Sequence, residues 1–172
     1  MILFAVPTSF SLIVGIVLIA SGEFLRLWGV AIAGSETRTT GPVGGTFLIT
    51  TGPFAYVRNP LYVGNIIIYT GFGVMSLALF PWLTAVAFIV FTVEYIMIVS
   101  LEEEYLEKTF GEEYDRYRKS VPRFLPALKK YSPGDNPQPG LDWRRGFASE
   151  KRTLQAIGVL ILVLIILWHI GG

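Results

Sequence analysis

Long stretches at 1–22, 59–93 and 153–172 contain no Asp, Glu, Lys or Arg. Each is long enough to cross a bilayer's hydrocarbon core, which takes roughly 20 apolar residues as a helix. The pattern predicts four spans, at about 2–26, 61–79, 82–101 and 153–170, and the first has room to continue as a helix to 33. Gly15, Gly22 and Gly29 recur every seven residues on the first span. They share a face that lets another helix approach closely, in an internal contact or in a dimer.

Only Phe80-Pro81 separates the second and third spans, so these two form a tight antiparallel hairpin. That puts the long connections, 35–59 and 102–152, on one side. Together they hold thirteen of the fourteen basic residues: Arg38, Arg58 and eleven in the second connection. The excess of cations predicts that both connections are cytoplasmic and both termini outside. Trp28, Trp82, Trp143 and Trp168 fall near the predicted span ends, where aromatic belts form. The second connection is patterned. Leu101, Tyr105, Phe110, Tyr114, Tyr117 and Val121 make a helical stripe, with Gly111 as a bend. Glu104–Lys108, Glu112–Arg116 and Asp115–Lys119 are favourable pairs four residues apart. An amphipathic cytoplasmic helix therefore continues the third span, VPRFLP ends it, and 132–140 reads as a loop.

Composition supports a multi-pass membrane protein. The chain is 52% hydrophobic and 16% charged, against about 25% charged in soluble domains. A net charge of +1 predicts no nucleic-acid partner. The absence of cysteine excludes disulfides, thiolate metal sites and cysteine nucleophiles. His169 stands alone, so no metal site is expected. Ala20-Ser21-Gly22 resembles a signal-peptide cleavage site, but no Lys or Arg precedes Arg26, and the first segment is read as a retained helix.

Candidate chemistry clusters at the cytoplasmic ends. In RNPLYVGN, 58–65, Arg58 reads as an interfacial anchor, Asn59 as a helix N-cap and Pro60 as a first-turn residue. Tyr62, Gly64 and Asn65 have no such account. A Gly–Asn pair weakens an apolar helix unless a ligand or another backbone approaches there. Glu102, Glu103 and Glu104 lie where the third span leaves the membrane, either as a solvated face or with one carboxylate turned to a ligand. Glu23 and Arg26 are spaced to pair on one face. Glu94 lies about 12 Å up the third span from Glu102 at 1.5 Å per residue. It is either a functional carboxylate or a structural one bonded to Tyr69 or Thr70.

The ordered set TTGPFAYVRNPLYVGN, a helical hairpin, then EEEYLEKTFGEEYDRYRKSVPRFLP resembles the isoprenylcysteine carboxyl methyltransferase and phospholipid methyltransferase superfamily. That family's pattern is R-H-P-x-Y-x-G, a hairpin, a Glu pair, F-G-x-E-Y-x-x-Y and V-P-R-x-x-P. The likeness covers about 50–127 of a chain taken as one domain, with flanking spans at 2–33 and 153–170. The resemblance implies an all-α membrane enzyme that uses S-adenosylmethionine at the cytoplasmic face. Carried over, it implies donor-binding roles for Asn59, Pro60, Tyr62, Gly64, Asn65, Glu102, Glu103, Tyr114, Arg123 and Pro126, with Tyr117 and Pro122 in the same closing segment.

The donor's ammonium suits Glu102 or Glu103, its carboxylate suits Arg123 or Arg58, and Gly64 would give it room. Arg58 and Glu94 are the expected catalytic residues, with Glu94 on the acceptor side. Asn59 stands where the carboxyl methyltransferases carry His, and Asn cannot titrate. IVSL at 98–101 lacks the Arg that precedes the Glu run in prenylcysteine enzymes. The expected activity is methyl transfer to a lipophilic, membrane-borne acceptor carrying a carboxylate, thiol or amine. Membrane lipids are its surroundings, and oligomeric state is left open. The competing readings are a sterol-reductase-like oxidoreductase using NADPH and a non-enzymatic membrane scaffold. Against the reductase, 102–152 holds eleven basic and ten acidic residues, too even a balance to favour a nucleotide phosphate.

Overall fold

A computed structural model describes residues 2–34, 48–132, 134 and 137–171. Arg38 of the first connection, and positions 133, 135 and 136 of the expected loop, lie outside the described residues. Among the described residues five α-helices follow one another: α1 Ser9–Ala33, α2 Pro60–Ser76, α3 Trp82–Phe110, α4 Glu112–Ser120 and α5 Trp143–Gly171. There is no strand among the described residues. Helices α1, α3 and α5 are each long and apolar enough to cross a membrane. Helix α2, the expected second span, has 17 residues, about 25 Å at 1.5 Å per residue. The chain is thus a helical membrane protein.

Local chemistry sets the ends. Helix α1 starts at Ser9, seven residues later than expected. Thr8 Oγ1 accepts from Ser11 N at 3.1 Å, and Ser11 Oγ accepts from Thr8 N at 2.9 Å, a reciprocal capping box. Helix α3 runs unbroken from its apolar part through Glu102–Glu104 and stops at Gly111, whose φ of 50° few side chains tolerate. Glycine there is what separates α3 from α4. Helix α5 begins ten residues before the expected span. Asp142 Oδ1 caps it by accepting from Arg145 N at 3.0 Å.

The glycine heptad works inside the chain. A Cβ on Gly15 would lie 2.9 Å from Gly71 O, one on Gly22 would lie 2.7 Å from Gly64 O, and Gly29 faces Leu61. Helices α1 and α2 therefore touch backbone to backbone. Helix α5 packs on α1, where Gly146 meets Ala31, and α3 packs on α2. Leu12, Ile19, Ile68, Phe72, Met75 and Leu164 form the core of this layer. The membrane-length windows of α3 and α5 are only 11% and 6% buried within the chain. Their apolar outer surfaces suit lipid rather than water.

A second, smaller core lies beyond the hairpin, built from Leu48, Tyr114, Tyr117 and Val121. The closing segment crosses the strip before α2. Arg58 N donates to Pro122 O at 2.9 Å, Ala127 N to Tyr56 O at 2.7 Å and Tyr131 N to Ala55 O at 3.0 Å. Tyr117 Oη adds a bond to Phe54 O at 2.8 Å. These bonds bring residues 63 to 76 positions apart onto the ends of α2 and α3.

Candidate functional site

The site is assembled where α2 begins, α3 leaves its apolar stretch and the closing segment crosses both. Glu103 stands at its centre, with 8% of its side chain exposed. Arg58 Nε donates to its Oε1 at 2.9 Å and Nη2 to its Oε2 at 3.3 Å. Arg123 Nε donates to Oε2 at 2.9 Å, and Arg123 Nη2 donates to the same oxygen. Asn59 Nδ2 adds a contact to Oε1 at 3.3 Å and also reaches Arg123 O at 3.1 Å. The remaining fork of Arg58 binds Arg118 O and Val121 O at 2.9 and 2.8 Å. A carboxylate so enclosed is fixed by two guanidinium groups and has little capacity left for another cation.

This geometry revises the expected cap. Asn59 makes no side-chain cap bond to α2, because its amide is drawn to Glu103 and the Arg123 carbonyl.

The adjacent Glu102 points elsewhere, as a 100° step on a helix requires. Among the described residues it accepts one bond, from Tyr62 Oη at 2.6 Å. The Tyr62 ring lies against Tyr95, with centroids 5.0 Å apart, and Tyr95 Oη is 3.5 Å from Tyr69 Oη. Beyond them Tyr69 packs on Phe91 at 4.2 Å. Glu102 thus heads a row of aromatic rings between α2 and α3. Glu104 is the solvated member of the triplet, paired with Lys108 at 2.6 Å with both side chains well exposed.

Tyr114 lies beside the Glu103 centre. It is 1% exposed, and its hydroxyl has no hydrogen-bond partner among the described residues. Burial pushes the phenols of both Tyr114 and Tyr117 above their ordinary value, so both are neutral hydroxyls. Arg123 is more exposed than Arg58, with 36% of its side chain accessible.

The observed positions correct several expectations. Gly64 faces α1, not a cavity. A Cβ there would meet Arg26 Cγ at 2.6 Å and Gly22 O at 2.7 Å, so α1 fills the room that was expected to admit a ligand. Asn65 accepts from Arg26 Nη1. Pro60 is buried against the Gly29 face of α1. Glu94 is exposed on α3, so it is not the buried partner of Tyr69 or Thr70, and Thr70 bonds instead to its own helix at Ile66 O. Pro126 is exposed in the turn before Ala127. Arg58, Asn59, Tyr62, Glu102, Glu103, Tyr114 and Arg123 do come together. The sequence reading missed Tyr95, whose spacing of seven from Glu102 is a shared helix face and a readable signal.

The phospholipid methyltransferase family matches residues 10–113 of this chain. The chain belongs to the phospholipid methyltransferase family. The match covers α1, α2 and α3. Curated relatives fall in more than one class. The cobalt-zinc-cadmium resistance protein CzcN of Cupriavidus metallidurans is 33% identical over 107 residues, 62% of this chain and 44% of that protein. The methanethiol S-methyltransferase of Crocosphaera subtropica is 35% identical over 80 residues, 46% of this chain and 29% of that protein. The steroid 5-alpha-reductase DET2 of Solanum lycopersicum is 34% identical over 116 residues, 65% of this chain and 41% of that protein. The chain spans about half the length of these relatives or less. No solved structure matches it.

Proposed function

We propose that this member of the phospholipid methyltransferase family is a methyltransferase that uses S-adenosylmethionine and acts on a lipophilic acceptor drawn from the bilayer. The observation that carries the reading is the division of labour between neighbouring glutamates. Glu103 is neutralised by Arg58 and Arg123, while Glu102 keeps a partly buried carboxylate with one bond, from Tyr62. A donor with an ammonium and a carboxylate fits what is left. Glu102 would hold the ammonium, and the orphaned Tyr114 hydroxyl with the exposed part of Arg123 would hold the carboxylate.

When bound, the donor supplies a methyl group on a sulfonium. The chain's residues orient it and exclude water. The Tyr62 ring, bonded to Glu102 and packed on Tyr95, adds aromatic surface of the kind that attracts a cation. Transfer to an anionic nucleophile removes charge, which a water-poor site favours over bulk solvent. Positioning supplies most of the remaining advantage, so no titrating base is required at Asn59 if the acceptor arrives deprotonated. With the Arg58 guanidinium spent on Glu103 and two backbone carbonyls, its part is to hold the site together. The row of rings between α2 and α3 offers an apolar route for the acceptor.

The same reading puts 35–59 and 102–152 on the cytoplasmic side with both termini outside. Membrane extracts incubated with methyl-labelled S-adenosylmethionine test the activity: one lipophilic species should gain label, and no labelled product would sink the reading. The likeness to a steroid reductase favours one alternative, an oxidoreductase using NADPH. An absorbance change of NADPH that depends on the protein would support it.

A further inference from the structure

The first turns of α5 carry four cations on one face. Arg144 and Lys151 are seven residues apart, as are Arg145 and Arg152, and all four are exposed. At 3.6 residues per turn they cover about a third of the helix circumference. No acid shares that arc. Asp142 Oδ1 caps the helix at Arg145 N, and Glu150 is buried with its Oε2 on Arg26. Arg145 leans over the end of α1, 3.5 Å from Ile32 O. Arg144, Lys151 and Arg152 have no ion-pair or hydrogen-bond partner among the described residues.

The same face continues past the cations. Val159 lies seven residues beyond Arg152, so it sits on the same side of the helix, and Leu162 and Ile166 extend the line. All three are exposed apolar side chains. On that line only the uncharged Gln155 stands between the two groups. Trp143 and Phe147, also exposed, lie between the basic arc and the Gly146 face that meets α1. A basic strip with an aromatic edge therefore runs into an apolar strip on one helix. Cations at a span end can be there only to fix which side of the membrane that end occupies. That purpose is met by cations anywhere in the connection. It needs neither their gathering on one face nor their alignment with an exposed apolar strip.

We propose that this face of α5 binds anionic phospholipid, with the phosphate on Arg144, Lys151 and Arg152 and the acyl chains along Val159, Leu162 and Ile166. Each part of the lipid meets its complement at the matching depth. Guanidinium forks bind phosphate oxygens in pairs, and an ammonium adds a point charge. Trp143 and Phe147 supply the aromatic surface that settles at headgroup level. A zwitterionic headgroup carries its own cation beside the phosphate, which the arc repels, so the face selects lipids whose headgroup has no amine. The lipid face belongs to α5, whereas Glu102 and its partners lie on α2, α3 and the closing segment, so it can be tested without any methyl transfer.

The test is native mass spectrometry of the full chain from detergent micelles, titrated with phosphatidylglycerol or with phosphatidylcholine of the same chains. Wild type should bind the first phosphatidylglycerol about fivefold or more tighter, the effect of at least one cation near an anionic lipid surface. The variant Arg144→Gln, Lys151→Gln, Arg152→Gln should lose most of that preference. A control with the same change in net charge, Lys108→Gln, Arg116→Gln, Lys119→Gln, takes exposed cations from α3 and α4 and should keep it. Equal binding of the two lipids by wild type overturns the proposal and leaves the arc to water or to an acidic protein segment. An equal fall in both variants also overturns it, because the attraction is then one of overall charge. Inorganic phosphate added at the lipid's concentration should not displace phosphatidylglycerol; displacement would make this a site for free phosphate and overturn the lipid assignment. Should the triple α5 variant fail to fold, Arg152→Gln against Lys119→Gln is read the same way.

Discussion

Replacing Glu103 by Gln takes the single carboxylate away from two guanidinium groups. The Glu103 side chain is 8% exposed and that of Arg58 10%, so solvent cannot replace the lost charge. Breaking a buried ion pair by removing one partner typically costs about 3–5 kcal/mol. The share belonging to Arg123 is smaller, because that side chain is 36% exposed and water screens it. Gln keeps one acceptor oxygen but turns an NH₂ toward a cation, so recovery is partial. We expect a destabilisation of about 3 kcal/mol, toward the lower end of that range.

The loss should be local first. Glu103 is what Arg58, Asn59 and Arg123 converge on, and these hold the closing segment over 54–59. Thermal unfolding in micelles measures the total, and limited trypsin cleavage at Arg123, Lys129 and Lys130 reports release of the segment. Glu104→Gln is the control, since its pair with Lys108 is exposed and screened by water. If Glu103→Gln melts like Glu104→Gln and its closing segment resists trypsin as wild type does, the assignment of Glu103 to structure is wrong.

Three further substitutions probe other parts of the account. Gly22→Ala would put a Cβ 2.7 Å from Gly64 O, a backbone atom that cannot step aside. It should cost about 1–3 kcal/mol, whereas Gly158→Ala, which meets nothing within 4 Å, should be neutral or stabilising, both read from thermal melts. Tyr117→Phe removes the bond to Phe54 O and should cost about 1 kcal/mol, with no change in affinity for the donor by calorimetry. Gly111→Ala places a side chain at a φ of 50° and should cost about 1 kcal/mol. A gain in stability there would mean that α3 and α4 prefer to run as one helix.

Most of the fold is legible in the sequence because a bilayer enforces it. Charge-free runs mark α1, α3 and α5, the short Phe80-Pro81 turn makes the hairpin, and the glycine heptad marks the face that meets α2. The two helix starts that differ were signalled by caps, Thr8 with Ser11 and Asp142 before Arg145, which apolar patterning alone passes over. The site was legible as a set of residue types, since Arg58, Tyr62, the glutamates, Tyr114 and Arg123 do converge. What could not be read was which side of α2 each residue faces. Pro60, Gly64 and Asn65 sit in the same motif as Tyr62, yet they turn to α1, because Arg26 threads past Gly64. Nor could adjacency tell Glu102 from Glu103. Their roles part only once the closing segment brings Arg123 back across some twenty residues.

Calorimetric titration of S-adenosylmethionine into wild type and Glu102→Gln tests the central claim most directly. The account predicts saturable binding to wild type and a loss of more than about tenfold in Glu102→Gln, as expected when a charge-assisted bond is removed. The fold should be intact, because Glu102 accepts only one bond among the described residues. No binding by well-folded wild type, or equal binding by both, would contradict it.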